Sequence, residues 1–125
     1  MFWAPFAVLA WLRLPEGGEG LAEGRIDLLF VEDGAIVIVD FKTDSVSAAQ
    51  VAERAAHYHP QALVYAWAAH RATGMPVREV VFLFARPQPA VEHTVPVDDA
   101  LLAEAEALLA QPVAAGTEET LAATA

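Results

Sequence analysis

Cysteine is absent from the 125 residues. Its absence excludes a disulfide framework and every thiolate-held metal site, and fits a reducing, cytoplasmic setting. Lysine is nearly absent: Lys42 stands alone beside six arginines, against 17 acidic residues, and the formal net charge is −10. Sequence-independent attraction to nucleic acid comes largely from Lys and Arg neutralising phosphates, so a chain this acidic has little of it. Affinity for a nucleic acid must then come from one concentrated patch with metal, or from a partner that delivers the strand. Long hydrophobic runs are also missing. The apolar opening, Met1 to Leu12, is too short to span a bilayer and carries no basic leader, so it reads as a first strand with its lead-in, and no membrane partner is expected.

What is present is an apolar content of 56%, enough for one domain with one core. One stretch organises it. Gly24 to Val31 and Ala35 to Thr43 are β-branched-rich runs joined by Glu32-Asp33-Gly34, the pattern of an antiparallel hairpin. With Asp33-Gly34 in the turn, Asp27 lies opposite Asp40. Alternation puts Arg25, Asp27, Leu29 and Val31 on one face with Ile36, Ile38, Asp40 and Lys42. The other face, Ile26, Leu28, Phe30, Val37, Val39 and Phe41, is wholly apolar and is predicted to be core.

Opposed carboxylates at roughly 5 Å repel and need compensation. Two readings supply it. In one, Asp27 and Asp40 end their strands and Lys42 is their salt-bridge partner. In the other, the carboxylates offer oxygen ligands to a hard cation, Mg²⁺ or Mn²⁺, and Lys42 stands beside them for metal-assisted phosphodiester hydrolysis.

The remaining elements follow from punctuation and period. Residues 5–14 read as a strand ending in the Gly-rich turn Pro15 to Gly20, and Ser47 to Tyr58 as a helix with small apolar residues. A firmer helix begins at Pro60 and closes at Thr73-Gly74-Met75-Pro76. It carries Leu63, Trp67 and His70 on one face and Gln61 with Tyr65 on another. That second pair either holds a phosphate or base, or forms a surface hydrogen bond beside a half-buried tyrosine. The four histidines are too scattered to suggest a metal site. Val77 to Ala85 has the apolar continuity of a strand buried on both faces, parallel to 35–42 through the helical crossover. An edge strand at 90–97 and a helix from Asp98 or Asp99 to Ala110 complete an α/β fold: a mixed sheet with an antiparallel meander and then an α-crossover. A single domain over 1–110 and a disordered tail over 111–125 are expected.

Three blocks carry a family resemblance. Gly24-Arg25-Ile26-Asp27, then Ile38-Val39-Asp40-Phe41-Lys42-Thr43-Asp44, then Tyr58-His59-Pro60-Gln61 through Tyr65 resemble, in that order, the motifs of the PD-(D/E)xK nuclease domain of the RecB/AddA type. This domain is found at the C-terminus of helicase-nucleases. The resemblance implies a restriction-endonuclease-like core and Mg²⁺-dependent (or Mn²⁺-dependent) exonuclease-type hydrolysis of DNA in recombination and repair. It implies metal ligation by Asp27, Asp40 and the Phe41 carbonyl, catalysis by Asp27, Asp40 and Lys42, and substrate contacts from Tyr58, Gln61 and Tyr65. It also implies DNA, with single-stranded ends, as substrate, and a helicase domain or subunit as partner, this chain being a piece of the larger protein. The iron–sulfur cluster of some relatives is excluded by the lack of cysteine. Ala4, before Pro5-Phe6, departs from the glutamate often found there, and the family's upstream helix with its metal-site histidine has no counterpart ahead of Met1. An alternative follows from that departure and from the charge: a catalytically impaired nuclease-fold module that docks, or binds DNA ends, within a helicase complex.

Overall fold

The computed structural model describes residues 6–13 and 19–117, with side chains described for 25–109. Its central hairpin is built as the alternation predicts. Strands β3 (Leu28–Glu32) and β4 (Ala35–Lys42) pair antiparallel from Leu28↔Val39 to Glu32↔Ala35. The two turn residues both have positive φ, 52° at Asp33 and 78° at Gly34. This is the combination a two-residue type I′ turn requires, and Asp-Gly tolerates it.

The run 24–31 is two strands. Strand β2 (Glu19–Ile26) ends one residue before Asp27 and pairs with β1 (Phe6–Arg13), whose other neighbour is β7 (Leu109–Thr117). The chain bends at Asp27 and enters a second sheet, of order β3-β4-β5-β6, in which β5 is Val77–Phe84 and β6 is Val91–Pro96. Strand β5 runs parallel to β4 and antiparallel to β6, so the sheet is mixed, with a helical crossover between its parallel neighbours.

Two expectations are corrected here. The face of Leu28, Phe30, Val39 and Phe41 is not the main core: Phe41 is 49% exposed, whereas Ile36 and Ile38 on the opposite face are fully buried. Both faces of the hairpin carry apolar residues, and the crossover helices decide the matter by packing on the side of Asp40 and Lys42. Ile26 is also fully buried, because the bend at Asp27 resets the alternation. The second correction concerns the end of the chain. Residues 109–117, predicted as a helix end and a disordered tail, pair with β1, and Pro112 sits in an edge strand at a register shift, where the lost N–H is tolerated. Residues 1–5, 14–18 and 118–125, and with them most of the turn expected from Pro15 to Gly20, lie outside the described residues.

The crossover comprises a 3₁₀ turn (Ala48–Gln50), α1 (Val51–His57) and α2 (His59–Thr73). Pro60 stands in the first turn of α2, and Gly74 at φ 71° closes it with an N–H bond to the His70 carbonyl of 2.8 Å. Ala62 through Ala69 are all buried, so α2 is apolar around its whole circumference, touching β1, β5, β7 and α3 (Asp99–Leu108). Asp98 caps α3 by accepting the Leu101 N–H at 2.8 Å. Leu101, Ala105 and Leu109 close the core from that side.

Candidate active site

Strand β4 ends on the helix-facing side of the sheet with two charged groups, Asp40 at 4% and Lys42 at 9% exposure. Buried charges require partners. The Lys42 ammonium lies 2.6 Å from Asp40 Oδ2 and donates to Gln61 Oε1 at 2.5 Å. Its remaining side is covered by aromatic rings: Nζ is 3.8 Å from the centroid of the Tyr58 ring and 5.4 Å from that of Phe82. Gln61 comes from the first turn of α2, and Tyr58 from the turn between α1 and α2.

The second carboxylate arrives from the bend between the sheets. The β3–β4 ladder stops at Leu28↔Val39, which leaves the Phe41 N–H without a strand partner on that side, and Asp27 Oδ2 accepts it at 3.0 Å. Residues on a strand direct their N–H and C=O to the same edge, so the Phe41 carbonyl opens toward Asp27 as well. The position of Asp27 is held from behind by Tyr65, whose hydroxyl donates to the Arg25 carbonyl at 2.9 Å. Tyr65 itself is 2% exposed. Burial is the main reason that its hydroxyl is pushed well above the usual phenol range, and the charges of Asp40 and Asp27 add to it.

Asp27 stands close enough to Asp40 to influence its proton. Burial raises the Asp40 carboxyl to about 6; the Lys42 ammonium opposes that rise, and hydrogen bonding and repulsion from Asp27 reinforce it. A carboxylate held in this state next to another one favours a bound cation.

The family model of the PD-(D/E)XK nuclease superfamily matches residues 6–124, almost the whole chain. The chain belongs to the PD-(D/E)XK nuclease superfamily. No curated protein matches it. Members of the superfamily are nucleases, and the mixed four-stranded sheet with its crossover helices is consistent with their restriction-endonuclease-like core. Nucleases of this superfamily typically use divalent metals. The donor chemistry here suits such an ion: two neighbouring carboxylates and a backbone carbonyl are hard oxygen ligands, and Mg²⁺ commonly takes one or two carboxylates and keeps several waters. Among the described residues no group of three or more His, Cys, Asp or Glu side chains forms a metal cage, so protein side chains alone would leave most of the coordination sphere to other oxygens.

All six side chains singled out in the sequence gather at one end of β4 and the facing helix. Asp27, Asp40, Lys42, Gln61 and Tyr58 surround one point, while Tyr65 lies beneath it against β2. In this structure Gln61, Tyr58 and Tyr65 contact the protein's own groups. Sequence reasoning missed two participants. Asp44 accepts the Tyr58 hydroxyl, and Phe82 closes the aromatic side of Lys42. A signal for Asp44 was available, since it stands two residues beyond Lys42 in the same block. Phe82 was concealed in an apolar run. Two of the histidines serve the scaffold: His70 Nδ1 bonds the Met75 carbonyl at 2.8 Å, and His59 meets Glu104 at 3.0 Å.

Proposed function

We propose that this superfamily member hydrolyses DNA phosphodiesters with Mg²⁺ or Mn²⁺, as a nuclease of the RecB/AddA type. The observation that supports it best is the buried Lys42 ammonium, 2.6 Å from Asp40, at the same strand end where Asp27 binds the Phe41 amide at 3.0 Å. A structural salt bridge would need one carboxylate. A second one, brought in by a bend between two sheets, adds repulsion that serves a cation site better than it serves stability.

In this reading Asp27, Asp40 and the Phe41 carbonyl hold the ion. A divalent cation bound there supplies Lewis acidity toward a phosphate oxygen and lowers the pKa of water. Lys42 orients the attacking water and offers a positive charge to the phosphorane-like transition state. Gln61 fixes the ammonium by accepting one of its protons, and Tyr65 fixes the backbone that presents Asp27. Both would thereby act on the substrate strand through the residues they hold.

The order of the three motif blocks supports the RecB/AddA assignment, and with it an exonuclease-type role in recombination or repair. The net charge of −10 supports delivery of the strand, with single-stranded ends, by a helicase domain or subunit, because the domain has few cations of its own to attract DNA. The domain, from β1 through β7, would be one nuclease unit of that larger assembly.

The test is digestion of end-labelled single-stranded and duplex DNA by the purified protein with Mg²⁺ or Mn²⁺, beside Asp40→Ala and Lys42→Met. Degradation that needs the ion and falls at least a hundredfold in both variants is expected. Activity equal in wild type and Asp40→Ala would reject the site. Metal binding with no hydrolysis on any DNA would favour a nuclease-fold module that only docks or binds DNA ends.

A further inference from the structure

The aromatic side of Lys42 is built with more care than burial of a stem requires. The Tyr58 ring, whose centroid is 3.8 Å from Nζ, packs on Phe82 at 5.7 Å and on Phe84 at 6.4 Å between ring centres. Its hydroxyl donates to Asp44, whose two oxygens lie at 2.7 and 3.0 Å, and Arg54 stands 3.5 Å from the same carboxylate. Asp44 follows Lys42 by two residues and Tyr58 precedes Gln61 by three, so two contacts and two short stretches of chain close a circuit: Lys42 to Gln61, along the chain to Tyr58, across to Asp44, and along the chain back to Lys42. An ammonium has three protons to donate. Asp40 and Gln61 take two of them, and the ring covers one flank of the ammonium, which leaves the third proton for the attacking water.

We infer that Tyr58 is a positioning residue for Lys42: its ring face, anchored at the far edge by Asp44, holds the ammonium against Asp40 and Gln61. The inference rests on the nuclease reading for its kinetic consequences, and assigns Asp44 the part of an anchor for the ring. It differs from a direct contact between Tyr58 and the substrate strand, which the family resemblance implies. The ring face is already covered by Nζ, and the hydroxyl, the one group with which Tyr58 could bind a phosphate, donates to Asp44. Burial and the neighbouring Asp44 raise the Tyr58 hydroxyl above its ordinary value, which keeps the donated proton in place.

Lys42 is the only lysine in the sequence, and this gives a readout that needs no DNA. In protein carrying ¹³C-lysine, one Cε–Hε signal reports the site, and a tyrosine ring below the ammonium should shift it upfield from its free position. The shift is expected in wild type, reduced with line broadening in both Tyr58→Phe and Asp44→Ala, which keep the ring without its anchor, and smallest in Tyr58→Leu, where Phe82 is the remaining ring. An unshifted wild-type signal overturns the inference whatever the enzyme does, and requires no variant to fold. Kinetically, Tyr58→Leu should lower kcat roughly tenfold, the scale of a desolvated cation–π contact, with KM changed less than about twofold. Tyr58→Phe should recover most of that loss, since the ring remains. A raised KM with unchanged kcat in Tyr58→Leu, or a Tyr58→Phe variant as impaired as Leu, would assign Tyr58 to the substrate strand and overturn the inference. If wild type proves to have no nuclease activity, the lysine signal still decides the clamp, so the two failures are distinguishable.

Discussion

The Asp27 carboxylate receives the backbone N–H of Phe41 at 3.0 Å, across the point where the chain passes from the β1 sheet to the β4 sheet. The same side chain therefore satisfies an unpaired strand edge and presents a negative charge beside Asp40. These two duties can be separated. Asp27→Asn keeps an oxygen for the Phe41 amide but removes the charge. Its Mg²⁺ affinity, measured by calorimetry, should fall at least tenfold, while its urea-unfolding free energy changes by less than about 1 kcal/mol. Undiminished binding would detach Asp27 from the cation.

The metal-free protein should lose stability as pH rises through the weakly acidic range. The Asp40 carboxyl is raised from 3.8 to about 6 in the folded protein, chiefly by burial. Between those values the folded state holds a proton that the unfolded chain has released, so the slope of stability against pH is negative there. The full effect is on the order of 3 kcal/mol, at about 1.4 kcal/mol per pKa unit. Other carboxylates contribute their own slopes, so the comparison that isolates Asp40 is wild type minus Asp40→Asn, by urea unfolding from pH 4 to 7. Saturating Mg²⁺ should stabilise wild type more at pH 7 than at pH 4.5. A difference curve that is flat over this range would contradict the assignment.

Tyr65→Phe removes the donor to the Arg25 carbonyl without changing the buried ring. The expected cost is about 1 to 2 kcal/mol of unfolding free energy. If the hydroxyl also holds the bend that presents Asp27, Mg²⁺ affinity falls several-fold as well, and calorimetry on the variant measures it. Lost stability with full metal affinity would confine Tyr65 to the scaffold.

Both tyrosines of the chain are raised above the ordinary phenol value of 10, each mainly by burial. Absorbance at the phenolate band should therefore show both tyrosines of the folded protein ionising at higher pH than in the unfolded chain. The folded state keeps its phenolic protons where the unfolded chain releases them, so stability falls as pH rises above 10, and phenolate should appear together with alkaline unfolding. A tyrosine that titrates no higher than in the unfolded chain, with the far-ultraviolet circular dichroism intact, would contradict this.

Much of this site was legible in the sequence because it depends on local rules. Asp33-Gly34 dictates the turn and the turn dictates the register as far as Leu28↔Val39; Asp27, expected opposite Asp40 in the ladder, instead lies in the bend just beyond it. Pro60 and Gly74 bracket the helix that carries Gln61 and Tyr65. What the sequence concealed was set by partners distant along the chain. Ile36, Ile38 and Leu29 are no more apolar than Val37, Val39 and Phe30, so the core side of the hairpin was undecidable until α1 and α2 chose it. The break at Asp27 was hidden because no glycine or proline interrupts residues 25–31, and only pairing with β1 divides them. Strand β7 was misread for a related reason: its alanines and Pro112 have little strand propensity of their own, and pairing with β1 supplies what they lack.

A solitary lysine at the site makes the protein addressable by amine chemistry in an unusual way. Among the side chains of these 125 residues Lys42 is the only primary amine, and it is shielded by Asp40, Gln61 and two rings. A reagent that acylates or alkylates amines thus has a single side-chain target, and the rate at which that target is modified reports how often the clamp opens. Cation, nucleotide and DNA can each be scored by the protection they give, with the unmodified mass of one peptide as the measure.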